Sequence, residues 1–112
     1  MTKEVEKNFQ TIIPPVDIIE TKNSYIVKLD IPGAGKEHIK AKIEDNILVV
    51  SASIVDQIGT GKESETMKEY QREFSLANDI DTSTVDAKYE LGVLTVTLNK
   101  KIQFLPKEIV IN

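Results

Sequence analysis

Ala87-Lys88-Tyr89-Glu90-Leu91-Gly92-Val93-Leu94-Thr95-Val96-Thr97-Leu98 decides how the chain is read. Val93 to Leu98 is β-branched or apolar throughout. In a strand Leu94, Val96 and Leu98 share one face, and Val93, Thr95 and Thr97 share the other. Val85, Ala87 and Tyr89 alternate with Asp86 and Lys88 just before it, a second strand. Glu90-Leu91-Gly92 lies between, with Gly92 able to take a positive φ. The expectation is a hairpin with a three-residue loop, a type I turn closed by a left-handed glycine.

The same logic repeats outward. Pro14-Pro15 stops any helix and opens a domain. Residues 1–13 form a short arm whose Val5, Phe9 and Ile12 have helical spacing. Two readings stand, a short amphipathic helix or a frayed tail. Val16 to Glu20 reads as a strand, and Thr21 to Ser24 as a turn. Tyr25, Val27, Leu29 and Ile31 define the core face of the next strand, which Pro32-Gly33 ends. Lys36-Glu37-His38 is expected to make one helical turn. Ile39, Ala41 and Ile43 then alternate with Lys40, Lys42 and Glu44. Asp45-Asn46 turns the chain into Ile47 to Val55, apolar on both faces at its start and therefore central.

Residues 56–66, with Gly59, Gly61 and a charge cluster, break the pattern as an excursion. Tyr70, Arg72, Phe74 and Leu76 share one face of the returning strand, where the arginine requires a partner. Residues 78–83 read as a loop. Short strands, regular turn signals and no long helix make an all-β chain, an antiparallel, immunoglobulin-like β-sandwich. The division is an arm (1–13), the sandwich domain (14–100) and a C-terminal extension (101–112).

Composition narrows the function. The chain has 112 residues, 14 basic and 18 acidic side chains and a net charge of -4. There is no basic excess with which to bind nucleic acid by neutralising phosphate. The absence of Cys removes disulfides and thiolate metal sites. No apolar run approaches the ~20 residues of a membrane span. The first residues lack the apolar core of a signal peptide, so a cytoplasmic location is expected.

Catalysis finds little support. His38 is the single histidine, with no Ser/Asp pairing suggested. Gly59-Thr60-Gly61-Lys62-Glu63-Ser64 fails as a phosphate loop: Asp56 stands where its first glycine belongs, and Glu63 where its Ser/Thr belongs. Gly33-Ala34-Gly35 lacks the third glycine of a dinucleotide fingerprint. The expectation is no enzyme, no cofactor and no metal.

Recognition is better supported. Ile109 and Ile111 project to one side of an extended segment. They lie ten residues beyond Asn99, a reach of up to roughly 33 Å. They are either a last strand of their own sheet or a tethered anchor for a neighbour. Ile39, Ala41, Ile43, Val85 and Ala87 are either ordinary core or the lining of a channel at the sandwich rim.

Taken together these features resemble the small heat-shock proteins and their α-crystallin domain. The resembling residues, in order, are Pro15-Val16-Asp17-Ile18; Tyr25 to Gly33 with Ile39 and Asn46 to Ser51; Tyr70-Gln71-Arg72-Glu73-Phe74-Ser75-Leu76; Ala87-x-Tyr89-x-x-Gly92-Val93-Leu94; and Ile109-Val110-Ile111. The likeness covers residues 14–111. The sequence departs from the family pattern at Ala77 and Asn99, where Pro is usual, at Leu91, where Asn is common, and at Lys68, where Gly is frequent.

The resemblance implies an ATP-independent holdase chaperone of the stress response. Such a protein keeps partly unfolded clients from aggregating until other chaperones refold them. It implies a homodimer in which residues 56–66 exchange a strand, with Arg72 in a charged interface network and Glu63 or Glu65 as its partner. It implies higher oligomers through Ile109 and Ile111, docked between the Ile39-Ala41-Ile43 and Val85-Ala87 strands of another dimer. The alternative is an adaptor on the same sandwich, resembling the p23 co-chaperones, which would not need the terminal isoleucines.

Overall fold

The computed structural model describes residues 9–54 and 67–112. Among these residues, eight strands form two four-stranded sheets. They are β1 (Phe9–Ile12), β2 (Val16–Glu20), β3 (Ser24–Asp30), β4 (Ala34–Glu44), β5 (Ile47–Ile54), β6 (Met67–Ser75), β7 (Ile80–Glu90) and β8 (Val93–Lys100). One sheet has the order β1-β6-β5-β4 and the other β2-β3-β8-β7. Pairing is antiparallel throughout except between β1 and β6, which run parallel.

Alternation builds the core. Val27 and Leu29 of β3, Leu48, Val50 and Ala52 of β5, and Leu94, Val96 and Leu98 of β8 are all buried. They face one another between the sheets with Ile31, Tyr70 and Ile80. The strand Ile47–Ile54 is paired on both sides, as its apolar start predicts.

Four local expectations are corrected. The arm is not helical where it is described, because Phe9–Ile12 pairs with Met67–Tyr70 as a strand. Lys36, Glu37 and His38 belong to β4, where the register slips between Ala34 and Ile39. A single helical turn would gain one backbone bond for several fixed dihedrals, whereas a bulge keeps the ladder on both sides. Residues 80–83 are likewise strand, with a register shift between Ile80 and Val85. The buried Ile80 anchors that start, and Asp81 accepts from the Ser83 hydroxyl at 2.6 Å and its backbone N–H at 3.0 Å. Those polar residues gave the segment the composition of a loop.

The hairpin is the fourth correction. Glu90 pairs directly with Val93, so the loop has two residues, not three. Leu91 has φ 50° and Gly92 φ 80°. Positive φ at both positions is the type I′ pattern, whose twist matches that of the strands it joins. Asp45 and Asn46, at φ 52° and 60°, make the same turn between β4 and β5.

Candidate functional site

The β7–β8 hairpin holds the Pro32-Gly33 turn, and that junction ties β7 to the start of β4. Gly33 has φ 85°, and the Ala34 N–H donates to the Ile31 carbonyl at 3.3 Å, a type II turn with proline and glycine in their preferred places. The Tyr89 hydroxyl lies 3.1 Å from the Ile31 carbonyl and 3.0 Å from that of Ala34. The Tyr70 hydroxyl, from the opposite sheet, donates to the Pro32 carbonyl at 2.8 Å. The Ile31 N–H donates to the Gly92 carbonyl at 2.9 Å. A side chain at Gly92 would begin 3.4 Å from Pro32 Cα. Tyr89 and Gly92 are thus the residues that fasten the hairpin to the end of β3.

Tyr89 also shows which edges meet, since its strand, β7, reaches the first residue of β4. Each of these strands is the edge of its sheet. Ile39, Ala41 and Ile43 pair with Ala52, Val50 and Leu48, all buried, so they share the inward face of β4. Val85 and Ala87 pair with Leu98 and Val96, again buried, and share the inward face of β7. Ile39 and Ile43 are half-buried against the core, yet Ala41 and Ala87 are exposed and Val85 is 40% exposed. Inward-facing side chains that remain open to solvent define a seam between the two edges. Ile109, Val110 and Ile111 lie beyond the last element, 82%, 82% and 90% exposed. Within a single chain the structure does not bring them to the seam.

The opposite side of the sandwich holds Arg72. Its guanidinium donates to the Pro14 carbonyl at 3.2 Å and lies 5.6 Å from the Phe74 ring centroid. The ion pairs among the described residues are Lys42–Glu44 and Lys100–Glu20, so Arg72 meets a carbonyl and a ring there rather than a carboxylate. Glu63 and Glu65, its expected partners, lie outside the described residues, as does the expected exchange segment 56–66. The outer edge of β2 carries no strand among the described residues.

A third feature escaped the sequence reading. A groove of about 400 Å³ opens between the sheets, lined chiefly by Ile18, Tyr25, Phe74, Leu76, Ile80 and Leu98. At its end the Tyr25 hydroxyl donates to Asp79 Oδ2 at 2.9 Å, and the Lys100 ammonium sits 4.9 Å from the Tyr25 ring centroid. The bond to Asp79, then desolvation and the nearby Glu20, push the Tyr25 phenol up to about 12. Hydrogen bonds from Ser83 hold the Asp81 carboxyl below its usual range. No alternation pattern announces this groove, because five strands and a loop supply it.

His38 is exposed on β4. Among the described residues no group of three or more His, Cys, Asp or Glu could hold a metal ion. No helix among them is long and apolar enough to cross a membrane.

Comparison with known proteins agrees with this geometry. Residues 17–112 match the Hsp20/alpha crystallin family. The 17.4 kDa class III heat shock protein of Arabidopsis thaliana is 36% identical over 97 residues, covering 77% of this chain and 63% of the relative. Small heat shock protein C2 of Rickettsia felis is 29% identical over 107 residues, covering 91% and 68%. The 18 kDa heat shock protein of Clostridium acetobutylicum is 32% identical over 94 residues, covering 79% and 62%. The chain thus spans about two thirds or slightly less of the length of these relatives. Heat shock protein 16.0 from Schizosaccharomyces pombe superposes with a TM-score of 0.72 at 24% identity, covering 91% of this chain and 77% of that one. A small heat-shock protein from Xylella fastidiosa gives 0.71 at 22% identity, covering 90% and 97%. These two show the sandwich; the sequence matches show the lineage, which is one of heat-shock proteins rather than enzymes. The chain belongs to the Hsp20/alpha crystallin family, the small heat-shock proteins.

Proposed function

We propose that this protein is an ATP-independent holdase that works in the cytoplasm and binds partly unfolded proteins through exchangeable apolar contacts. The observation that carries the reading is the open seam: Ala41, Val85 and Ala87 face inward yet stay exposed, while the isoleucines of the same chain's tail lie unburied. The sandwich spans residues 14–100 in this reading, with the tail from 101 as a tether.

Ile109 and Ile111 of one subunit dock against Ile39, Ala41, Ile43, Val85 and Ala87 of another. Burying each isoleucine gains about 1.5–3 kcal/mol, so one anchor gains about 3–6 before the cost of ordering the tail. A single contact of that size exchanges readily, and several held together give a stable assembly. Release uncovers apolar surface without any nucleotide. The building block is a homodimer. The open edge of β2 and the carboxylate-free surroundings of Arg72 among the described residues support an interface on that side.

Light scattering of a heat-labile protein such as citrate synthase, without ATP, tests the reading. Near-stoichiometric protein suppresses the signal. Unsuppressed aggregation contradicts the holdase; retained suppression by a chain lacking Ile109 and Ile111 separates client binding from assembly.

A further inference from the structure

We propose that the groove between Phe74, Leu76, Tyr25 and Ile80 receives residues 102–107 of a second copy of this chain, which takes the same segment of the first copy in return. The contact is separate from the seam between β4 and β7 and does not depend on it.

Groove and segment share one end of the sandwich. Leu98 and Ile80 form part of the groove wall, and Ile80 pairs with Lys100. The Lys101 N–H donates to the Asp79 carbonyl at 2.7 Å, so the segment leaves the domain at the mouth of the groove. It does not enter its own groove. A 3-10 turn, Ile102–Phe104, is held by the bonds from the Phe104 N–H to the Lys101 carbonyl at 2.9 Å and from the Leu105 N–H to the Ile102 carbonyl at 3.1 Å. This turn leaves Ile102 84% and Phe104 52% exposed.

Size and charge fit the same occupant. The groove's volume of about 400 Å³ lies within the range of specific apolar sites. Glu73 stands on its wall, and Asp79, which accepts from the Tyr25 hydroxyl of the lining beside Lys100, keeps Oδ1 without a hydrogen-bond partner among the described residues. The segment brings the cation Lys107 and no carboxylate. Because one end carries both groove and occupant, the surface is self-complementary, as a two-fold contact requires. Once one segment is seated the second binds at high effective concentration. An unrelated peptide would gain neither advantage.

The chain has no tryptophan, so Phe104→Trp places a single reporter in the segment. Its emission should shift to the blue as protein concentration rises. Ala77→Phe, at an exposed residue of the groove wall, should raise the half-saturating concentration about tenfold or more. Glu73→Lys should act in the same direction and serves if the first variant does not fold by circular dichroism. Ile109→Ser with Ile111→Ser should leave the shift in place. Three results with the protein alone would overturn the proposal. They are emission that stays red at every concentration, a shift unchanged by both groove variants, and a shift abolished by the terminal substitutions. A blue shift that appears only with heated citrate synthase would assign the segment to clients and overturn it equally.

Discussion

Leu91→Asn should make this protein more stable, although it removes a leucine. Leu91 sits at φ 50° in a two-residue turn and is fully exposed at 102% of its reference area. The left-handed conformation costs an ordinary residue roughly 1–2 kcal/mol, and asparagine adopts it more easily. Since the side chain packs against nothing, its removal forfeits no core burial. The expected gain is about 1 kcal/mol, or a rise in Tm of about 4 °C for a domain of this size. Leu91→Gly should gain less, because glycine adds about 0.4–1 kcal/mol of freedom to the unfolded chain. Gly92→Ala should move the other way, losing about 1–2 kcal/mol, since it puts a side chain at φ 80° and 3.4 Å from Pro32 Cα. Thermal melts at one fixed protein concentration compare the variants, because assembly shifts Tm by mass action. A three-residue loop would place Leu91 at negative φ and make the asparagine neutral. A Tm for Leu91→Asn equal to or below that of the parent refutes the two-residue turn.

Three further outcomes are expected. Alkaline titration of tyrosinate absorbance should contain a component near pH 12 that Tyr25→Phe removes. The folded phenol is raised from 10.0, so stability from its bond to Asp79 is complete below about pH 10 and is lost as pH climbs towards 12; a single transition without the late component contradicts the bond. Ile109→Ala with Ile111→Ala should lower the mass found by analytical ultracentrifugation towards a dimer, and an unchanged mass would show that the tail does not join subunits. Arg72→Ala should weaken dimerisation by tenfold or so, the scale of about 1.4 kcal/mol, and a dimer of unaltered affinity with a native spectrum would remove Arg72 from the interface.

How much of this was legible depends on how local the cause is. Leu94, Val96 and Leu98 declared themselves by alternation, and so did Ile39, Ala41, Ile43, Val85 and Ala87. Their exposure did not, because alternation says which way a side chain points and not whether a neighbouring sheet covers it. The turn at Leu91 was misread because leucine has no preference for positive φ; strand twist imposes it. His38 and its neighbours were misread because a bulge and a helical turn share the same polar composition. The groove around Tyr25 and Phe74 was invisible, since its walls come from strands far apart in the chain. Arg72 was legible as a charge on an apolar face, but its Pro14 carbonyl partner was not, because backbone acceptors leave no mark in a sequence.

The central claim is that the protein holds unfolding clients in solution without nucleotide. Heating citrate synthase with an equimolar amount of this protein, without ATP, and passing the supernatant over a sizing column tests it most directly. The account predicts a soluble complex containing both proteins, larger than either alone. Client found only in the pellet, with this protein eluting at its unheated position, would contradict it.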